Sequence, residues 1–138
     1  MTNLLRMAAL LLVVAGPLRA DTTLPEDPEI RGVIGSQLDA FLAEDPTTAF
    51  SFASPMIQGR FGTAETFGDM VRNGYPMVWA PDETRFLELR EIDGKTWQKV
   101  MVRDGAGAFH VLDYEMIQTE DGWKINGVQI LGPPGVGA

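Results

Sequence analysis

The chain contains no cysteine, so no disulfide can form and no lipid can be attached through a thiol. It has one histidine, His110, and two tyrosines, Tyr75 and Tyr114. One histidine without cysteine leaves too few ligands for a dedicated zinc site, and neither metal nor cofactor is expected. Basic residues are scarce, with 11 Lys and Arg against 19 Asp and Glu and a net charge of −8. That balance excludes nucleic acid, whose phosphates need Lys and Arg, and disfavours anionic lipid surfaces. No apolar run approaches the roughly 20 residues of a membrane span. The full phosphate-loop pattern Gly-x-x-x-x-Gly-Lys-Ser/Thr is missing (Gly94-Lys95-Thr96 has Leu89 where its first glycine would stand), as are His-Glu-x-x-His and Gly-x-Ser-x-Gly. Gly59, Gly62, Gly68 and Gly74 do not follow phosphate-loop order and read as turns and caps.

The first twenty residues stand apart. Arg6 supplies a short positive segment, Met7 to Gly16 is an apolar run, Pro17 breaks it, and Ala20 is a small residue at a cleavage position. This is the order of a cleavable secretory signal over residues 1–20. Its removal leaves 118 residues, a single-domain length. Arg6 and Arg19 leave with it and no acid does, so the balance falls to −10. A periplasmic or secreted protein is expected, with no membrane attachment after cleavage. Lacking disulfides, it depends on its core alone.

The next half reads as helical. "DTTLPE" is a polar leader without a pattern, and Asp27-Pro28 then gives a cap followed by proline at the first helical position. Ile30, Val33, Ile34, Leu38, Phe41 and Leu42 form one apolar stripe, predicting a helix from about Pro28 to Glu44. Asp45-Pro46 and Ser54-Pro55 restart the chain, and Thr63 to Gly74 offers a further capped helix. "YPMVWAP", bracketed by Pro76 and Pro81, is expected to be an edge strand or an extended link.

From Thr84 the apolar period changes from 3.6 to 2. "TRFLELREI", "KTWQKVMVR", "AGAFHVLDYEMIQTE" and "WKINGVQIL" are separated by Asp93-Gly94, Asp104-Gly105 and Asp121-Gly122. Asp-Gly between alternating runs signals a hairpin, so four antiparallel strands in a meander are predicted. No helix-sized gap separates them, which excludes a parallel βαβ sheet. The fold class is α+β: N-terminal helices packed on a curved four-stranded antiparallel meander, with Gly127 as a candidate bulge. Residues 21–131 form one domain, and 132–138 a flexible Pro/Gly tail.

The order of helices, then a curved meander ending in Gly122, Trp123 and Ile125, resembles the nuclear-transport-factor-2-like superfamily of α+β (cystatin-like) cones. "AFSFASPMIQGRFGT", "MVRNGYPMVW" and "DGWKINGVQILGPPG" resemble a family of small exported bacterial proteins known only as a domain of unknown function. The resemblance implies the cone and export. It implies no chemistry, since the superfamily includes isomerases, dehydratases, epoxide hydrolases, transport adaptors and non-catalytic pockets.

On the strand carrying His110, the even positions Ala108, His110, Leu112, Tyr114 and Met116 are expected to face the helices, and Asp113 and Glu115 to face away. His110 and Tyr114 on a concave face are candidates to polarise a carbonyl or shuttle a proton. A half-buried histidine bonded to backbone is the plainer reading. Enzymes of the cone that abstract protons use an inward carboxylate, and the inward strand positions here hold none. Asp69 lies between Phe67 and Met70 on a helix and reads as exposed. Tyr75, Trp79, Met56 and Met77 are expected around the mouth of the cone, where Tyr75 and Trp79, with His110 and Tyr114, are ligand-binding candidates.

The outer sheet face is expected to mix Phe86, Trp97, Met101, Phe109, Val111 and Ile117 with Glu88, Lys99, Arg103, Asp113 and Glu115. It reads either as a homodimer or partner interface or as an ordinary exposed face. The leading expectation is an exported, non-enzymatic module that binds a small apolar or amphipathic ligand, or a protein partner such as a second copy. The alternative is a cofactor-free isomerase, dehydratase or hydrolase using His110 and Tyr114. A third reading is a solid cone serving as a structural or inhibitory scaffold.

Overall fold

Proline stands at the first position of four of the five helices among the described residues. There its fixed φ suits the turn and its missing N–H is no loss. The computed structural model describes residues 21–134. Helix α1 spans Pro28–Leu42, and Asp27 Oδ1 accepts from the N–H groups of Glu29 at 2.9 Å and Ile30 at 3.2 Å. Helices α2 (Pro46–Ser51) and α3 (Pro55–Phe61) are capped likewise by Asp45 and Ser54, and α4 (Ala64–Gly74) by Thr63. The expected secretory signal over 1–20 lies outside the described residues, as do positions 135–138 of the expected tail. Gly132, assigned to that tail, still pairs with Val111.

"YPMVWA" is not an extended link. Pro76–Trp79 forms a single helical turn, α5, in which the Tyr75 carbonyl accepts from Val78 at 2.8 Å and Trp79 at 3.0 Å. Prolines at 76 and 81 bracket the turn without breaking it, because Pro76 occupies its first position. The turn places Met77 and Val78 in the core.

Five strands, not four, form the sheet: β1 (Asp21–Leu24), β2 (Glu83–Ile92), β3 (Lys95–Arg103), β4 (Phe109–Thr119) and β5 (Gly122–Gly132). They lie in sequence order and all pairs are antiparallel. The additional strand is the polar leader, which pairs Asp21 with Ile92 and Leu24 with Leu89 along the free edge of β2. Edge pairing uses backbone groups alone, so "DTTL" needs no apolar alternation.

The Asp-Gly pairs occupy three different turn positions. At Asp93-Gly94 both residues have positive φ, 52° and 81°, as a type I′ two-residue hairpin requires. Around Asp104 the turn is longer. Asp104 Oδ1 accepts from the N–H groups of Ala106 at 3.0 Å and Ala108 at 2.9 Å, and Gly107 takes the positive φ. At the third turn Gly122 has φ 97° and already opens β5.

Helix α1 lies against one face of the sheet. Ile30, Ile34, Leu38 and Phe41 join Val100, Leu112, Tyr114, Met116 and Ile125 in one buried cluster. Each such side chain contributes about 1.5–3 kcal/mol gross on burial. Leu42, counted in the expected stripe, is 52% exposed beyond the cluster's edge.

The register shifts at three places among the described strands, once near the end of β5, opposite Val111 and Leu112, and at two that bear on the site. Between Phe86 and Leu89 the register of β2 against β3 shifts, so Phe86 sits opposite Val100 on the helix side. The Arg31 guanidinium of α1 stands 5.3 Å above the Phe86 ring. Phe86 therefore does not belong to the outer face, because strict alternation fails across a bulge. The second shift pairs Glu115 with Gly127 but Met116 with Ile125, leaving Asn126 as the extra residue. The bulge expected at Gly127 falls one residue earlier, and Gly127 itself is paired.

Candidate functional site

The bulge at Asn126 forms the floor of an apolar concavity, a cavity of about 220 Å³. Ile125, Gly127 and Val128 of β5 line it from below. Phe41 of α1 and Phe67 and Val71 of α4 form the walls. Helix α3 forms the rim with Met56, Ile57, Arg60 and Phe61, and no residue of α3 is buried. Met56 and Arg60 are exposed, so the cavity opens to solvent beside this helix.

Phe67 organises the wall. Its ring centroid lies 5.9 Å from Phe41, 5.2 Å from Phe50 and 5.8 Å from Phe61, in tilted or edge-on arrangements. Such offset pairs hold rings in place better than face-to-face stacking. Capping fixes the rim. Ser54 accepts from the N–H of Ile57 at 3.2 Å, donates to Asn126 Oδ1 at 2.7 Å, and its own N–H donates to the Ile125 carbonyl at 2.8 Å. One serine thus starts α3 and ties it to the bulge.

The polar side chains lining the cavity are few. Asn126 is engaged at both ends, since its Nδ2 donates to Glu115 Oε2 at 3.3 Å. The Tyr75 hydroxyl donates to the Val128 carbonyl at 3.2 Å. Gln37 is 3% exposed and its Nε2 donates to the Ala49 carbonyl at 3.1 Å. Arg60 makes no ion pair with any described residue. Among the described residues no three His, Asp or Glu side chains converge as metal ligands. The lining holds no carboxylate and no imidazole, so it offers shape, apolar contact and hydrogen bonds rather than acid–base chemistry.

Of the four ligand-binding candidates read from the sequence, only Tyr75 lines this cavity, together with Met56 from the wider group at the mouth. Trp79 packs instead on Phe41, with centroids 5.5 Å apart, and under the Arg72 guanidinium at 4.6 Å. Tyr114 is fully buried, its hydroxyl has no hydrogen-bond partner among the described residues, and burial raises its pKa above the ordinary 10.0. His110 lies at the start of β4, where its Nε2 meets Asp104 Oδ2 at 2.8 Å. That contact, with the backbone bonds from Ala108 and Ala106, holds the Asp104 carboxyl below its ordinary value. His110 and Tyr114 share a face, as their spacing predicts, but share no opening. Asp69 is exposed and lies 3.8 Å from Arg72.

Gln37 and Phe61 escaped the sequence reading. A glutamine inside an apolar helix reads as solvent-facing, yet Gln37 sits three residues after Ile34 and four before Phe41, on the buried stripe itself. That spacing was the available signal. Phe61 lies at the end of a short helix with no periodicity to mark it.

The outer sheet face carries a different feature. Arg90 of β2 reaches across β3 to Asp113 of β4, Nη1–Oδ1 2.8 Å and Nη2–Oδ2 2.9 Å, in a second concavity also lined by Glu88 and Lys99. It is polar, and its central charges are paired. Among the described residues no helix is long and apolar enough to cross a membrane.

No curated protein and no solved structure matches the chain. A family model does match, over residues 23–138, which takes in every helix of the described residues, the sheet from the third residue of β1 and all residues lining the cavity. The chain belongs to the family described as Domain of unknown function (DUF4864).

Proposed function

We propose that this protein is an exported, non-catalytic binding module of the nuclear-transport-factor-2-like cone type, and that it takes a small apolar or amphipathic ligand into the cavity between α1, α3, α4 and β5. The observation that carries this is the cavity itself: about 220 Å³, walled by phenylalanines and empty of carboxylate and imidazole. Pockets of this make-up, largely apolar with a few placed polar groups, are the usual form of small-molecule sites. Export is supported by the order of Arg6, the apolar run and Ala20. The cone is supported by helices first and an antiparallel sheet bulged under the cavity.

The alternative, an isomerase, dehydratase or hydrolase built on His110 and Tyr114, has less support. Tyr114 has no access to solvent and His110 is bound to Asp104 outside the cavity. Self-association through the outer sheet face rests on the same charged patch that Arg90 and Asp113 already satisfy between themselves.

The test is ligand-induced thermal stabilisation of the purified protein against a panel of small apolar compounds, repeated on Ile57→Trp. Ile57 is half-buried at the rim, so a larger ring there fills the mouth without entering the main core. Stabilisation of the wild type by at least one compound, lost in Ile57→Trp, is expected. A panel that stabilises neither protein, or both equally, overturns the reading.

A further inference from the structure

One acceptor in the cavity lining is left without a donor among the described residues. The carbonyl of Ala49 can only accept, so the Gln37 amide is held with Nε2 toward α2. Gln37 Oε1 then accepts from no group among the described residues, on a side chain that is 3% exposed and lines the cavity. The Tyr75 proton is engaged by the Val128 carbonyl, and both ends of the Asn126 amide are engaged. Beside the second N–H of each amide, what the interior has left to offer is the Gln37 oxygen as an acceptor. A ligand that donates to this oxygen gains a hydrogen bond inside a largely apolar lining.

Size and wall chemistry narrow the ligand further. An engineered apolar cavity of about 150 Å³ holds benzene. The 220 Å³ here therefore suits one ring with a substituent or two fused rings. Phe41, Phe61 and Phe67 present ring faces and edges to such a molecule. A carboxylate entering head-first would meet the Gln37 oxygen, while the cation of the lining, Arg60, stays out on the exposed rim.

We propose that the cavity selects a small aromatic molecule bearing one hydrogen-bond donor, of the phenol or indole class. Its ring lies among Phe41, Phe61 and Phe67, and its O–H or N–H donates to Gln37 Oε1. The proposal rests on the ligand-binding reading of the cavity and names the class of compound it takes.

Indole and indene are nearly the same shape, and only indole carries an N–H, so calorimetric titration of both into the purified protein isolates the donor. Indole is expected to bind about tenfold or more tightly than indene, as one hydrogen bond to a buried acceptor implies. Gln37→Met, similar in volume and without the amide, is expected to bring indole and indene to equal affinity. Ile57→Trp is expected to abolish both. Equal affinity of the wild type for the two compounds overturns the donor inference and leaves the cavity reading standing, whether or not the Gln37 variant folds. An unchanged preference for indole in a folded Gln37→Met does the same. Binding of neither compound to the wild type overturns the aromatic-donor proposal, and the wider compound panel then decides the cavity reading separately.

Discussion

Arg90 and Asp113 form a two-pronged ion pair across the outer face of the sheet, spanning β3, with side chains only 10% and 9% exposed. Both Arg nitrogens and both carboxylate oxygens are used, which is the geometry that best offsets the removal of two charges from water. The contact with Asp113 holds the Arg90 guanidinium above its ordinary pKa. Removing one partner leaves the other buried and uncompensated. Asp113→Asn and Arg90→Met are each expected to cost about 3 kcal/mol in urea unfolding. Replacing both together, as Arg90→Met with Asp113→Leu, is expected to cost clearly less than the sum of the two. Additive losses would show that the pair contributes nothing as a pair.

The Tyr114 hydroxyl is expected to make the fold less stable at alkaline pH. It is fully buried without a hydrogen-bond partner among the described residues, and desolvation raises its pKa, with the neighbouring Tyr75 adding to the effect. A pKa raised in the folded state contributes stability that is complete below the unfolded value near 10 and is lost as pH rises above it. The unfolded chain then releases a proton that the folded chain retains, at up to about 1.4 kcal/mol per pH unit. Tyr114→Phe is expected to match or exceed the wild type by about 1 kcal/mol at pH 7, because an unpartnered hydroxyl is removed. Its advantage is expected to grow above pH 10. Urea midpoints at pH 7 and pH 10.5 check both parts, and a Phe variant that loses its advantage at the higher pH contradicts the linkage.

The sequence made the helix starts and the strand type readable for local reasons. Asp27-Pro28, Asp45-Pro46, Ser54-Pro55 and Thr63 each carry their own capping chemistry, and period-2 alternation marks β2 to β5 without outside help. What stayed hidden depends on partners distant in the chain. Strand β1 exists because the edge of β2 is free, which its own four residues do not announce. Phe86 changes face because of a bulge whose position is set by pairing with β3. The cavity arises where the Asn126 bulge, the α3 rim and three phenylalanines from separate helices meet, and Gln37 and Tyr75 acquire their roles only there. Candidates chosen by residue type, His110 and Tyr114, fell outside it.

The His110–Asp104 contact gives the β3–β4 turn a pH dependence of opposite sign. Asp104 is held below its ordinary carboxylate value, first by the hydrogen bond from His110 and then by backbone N–H groups of the turn. A lowered pKa contributes stability present above the unfolded value of about 4 and lost as pH falls through the folded one. The wild type is therefore expected to lose stability between about pH 4 and pH 2 more steeply than Asp104→Asn, which keeps the oxygen acceptor of the turn but does not titrate. Melting temperatures across that range read the difference. Parallel acid limbs for the two proteins contradict it.

Glycines in helices separate backbone preference from packing. Gly32 in α1 has open space where a Cβ would stand, so Gly32→Ala is expected to gain about 0.5–1 kcal/mol from helix propensity. Gly68 in α4 has the same propensity to gain, but a Cβ there would stand 3.0 Å from Pro46 Cβ, at the first position of α2. The proline ring cannot swing away as the end of a long side chain can, and α2 is tied on both sides, by the Asp45 cap and by Gln37 bonding Ala49. The strain of parting α2 from α4 outweighs about 1 kcal/mol of propensity, so Gly68→Ala is expected to destabilise. It should also loosen the Phe50–Phe67 contact that stands between those helices, at 5.2 Å. Chemical denaturation of the two variants side by side gives opposite signs if the close approach at Gly68 sets the packing of the cavity wall, and the same sign if it does not.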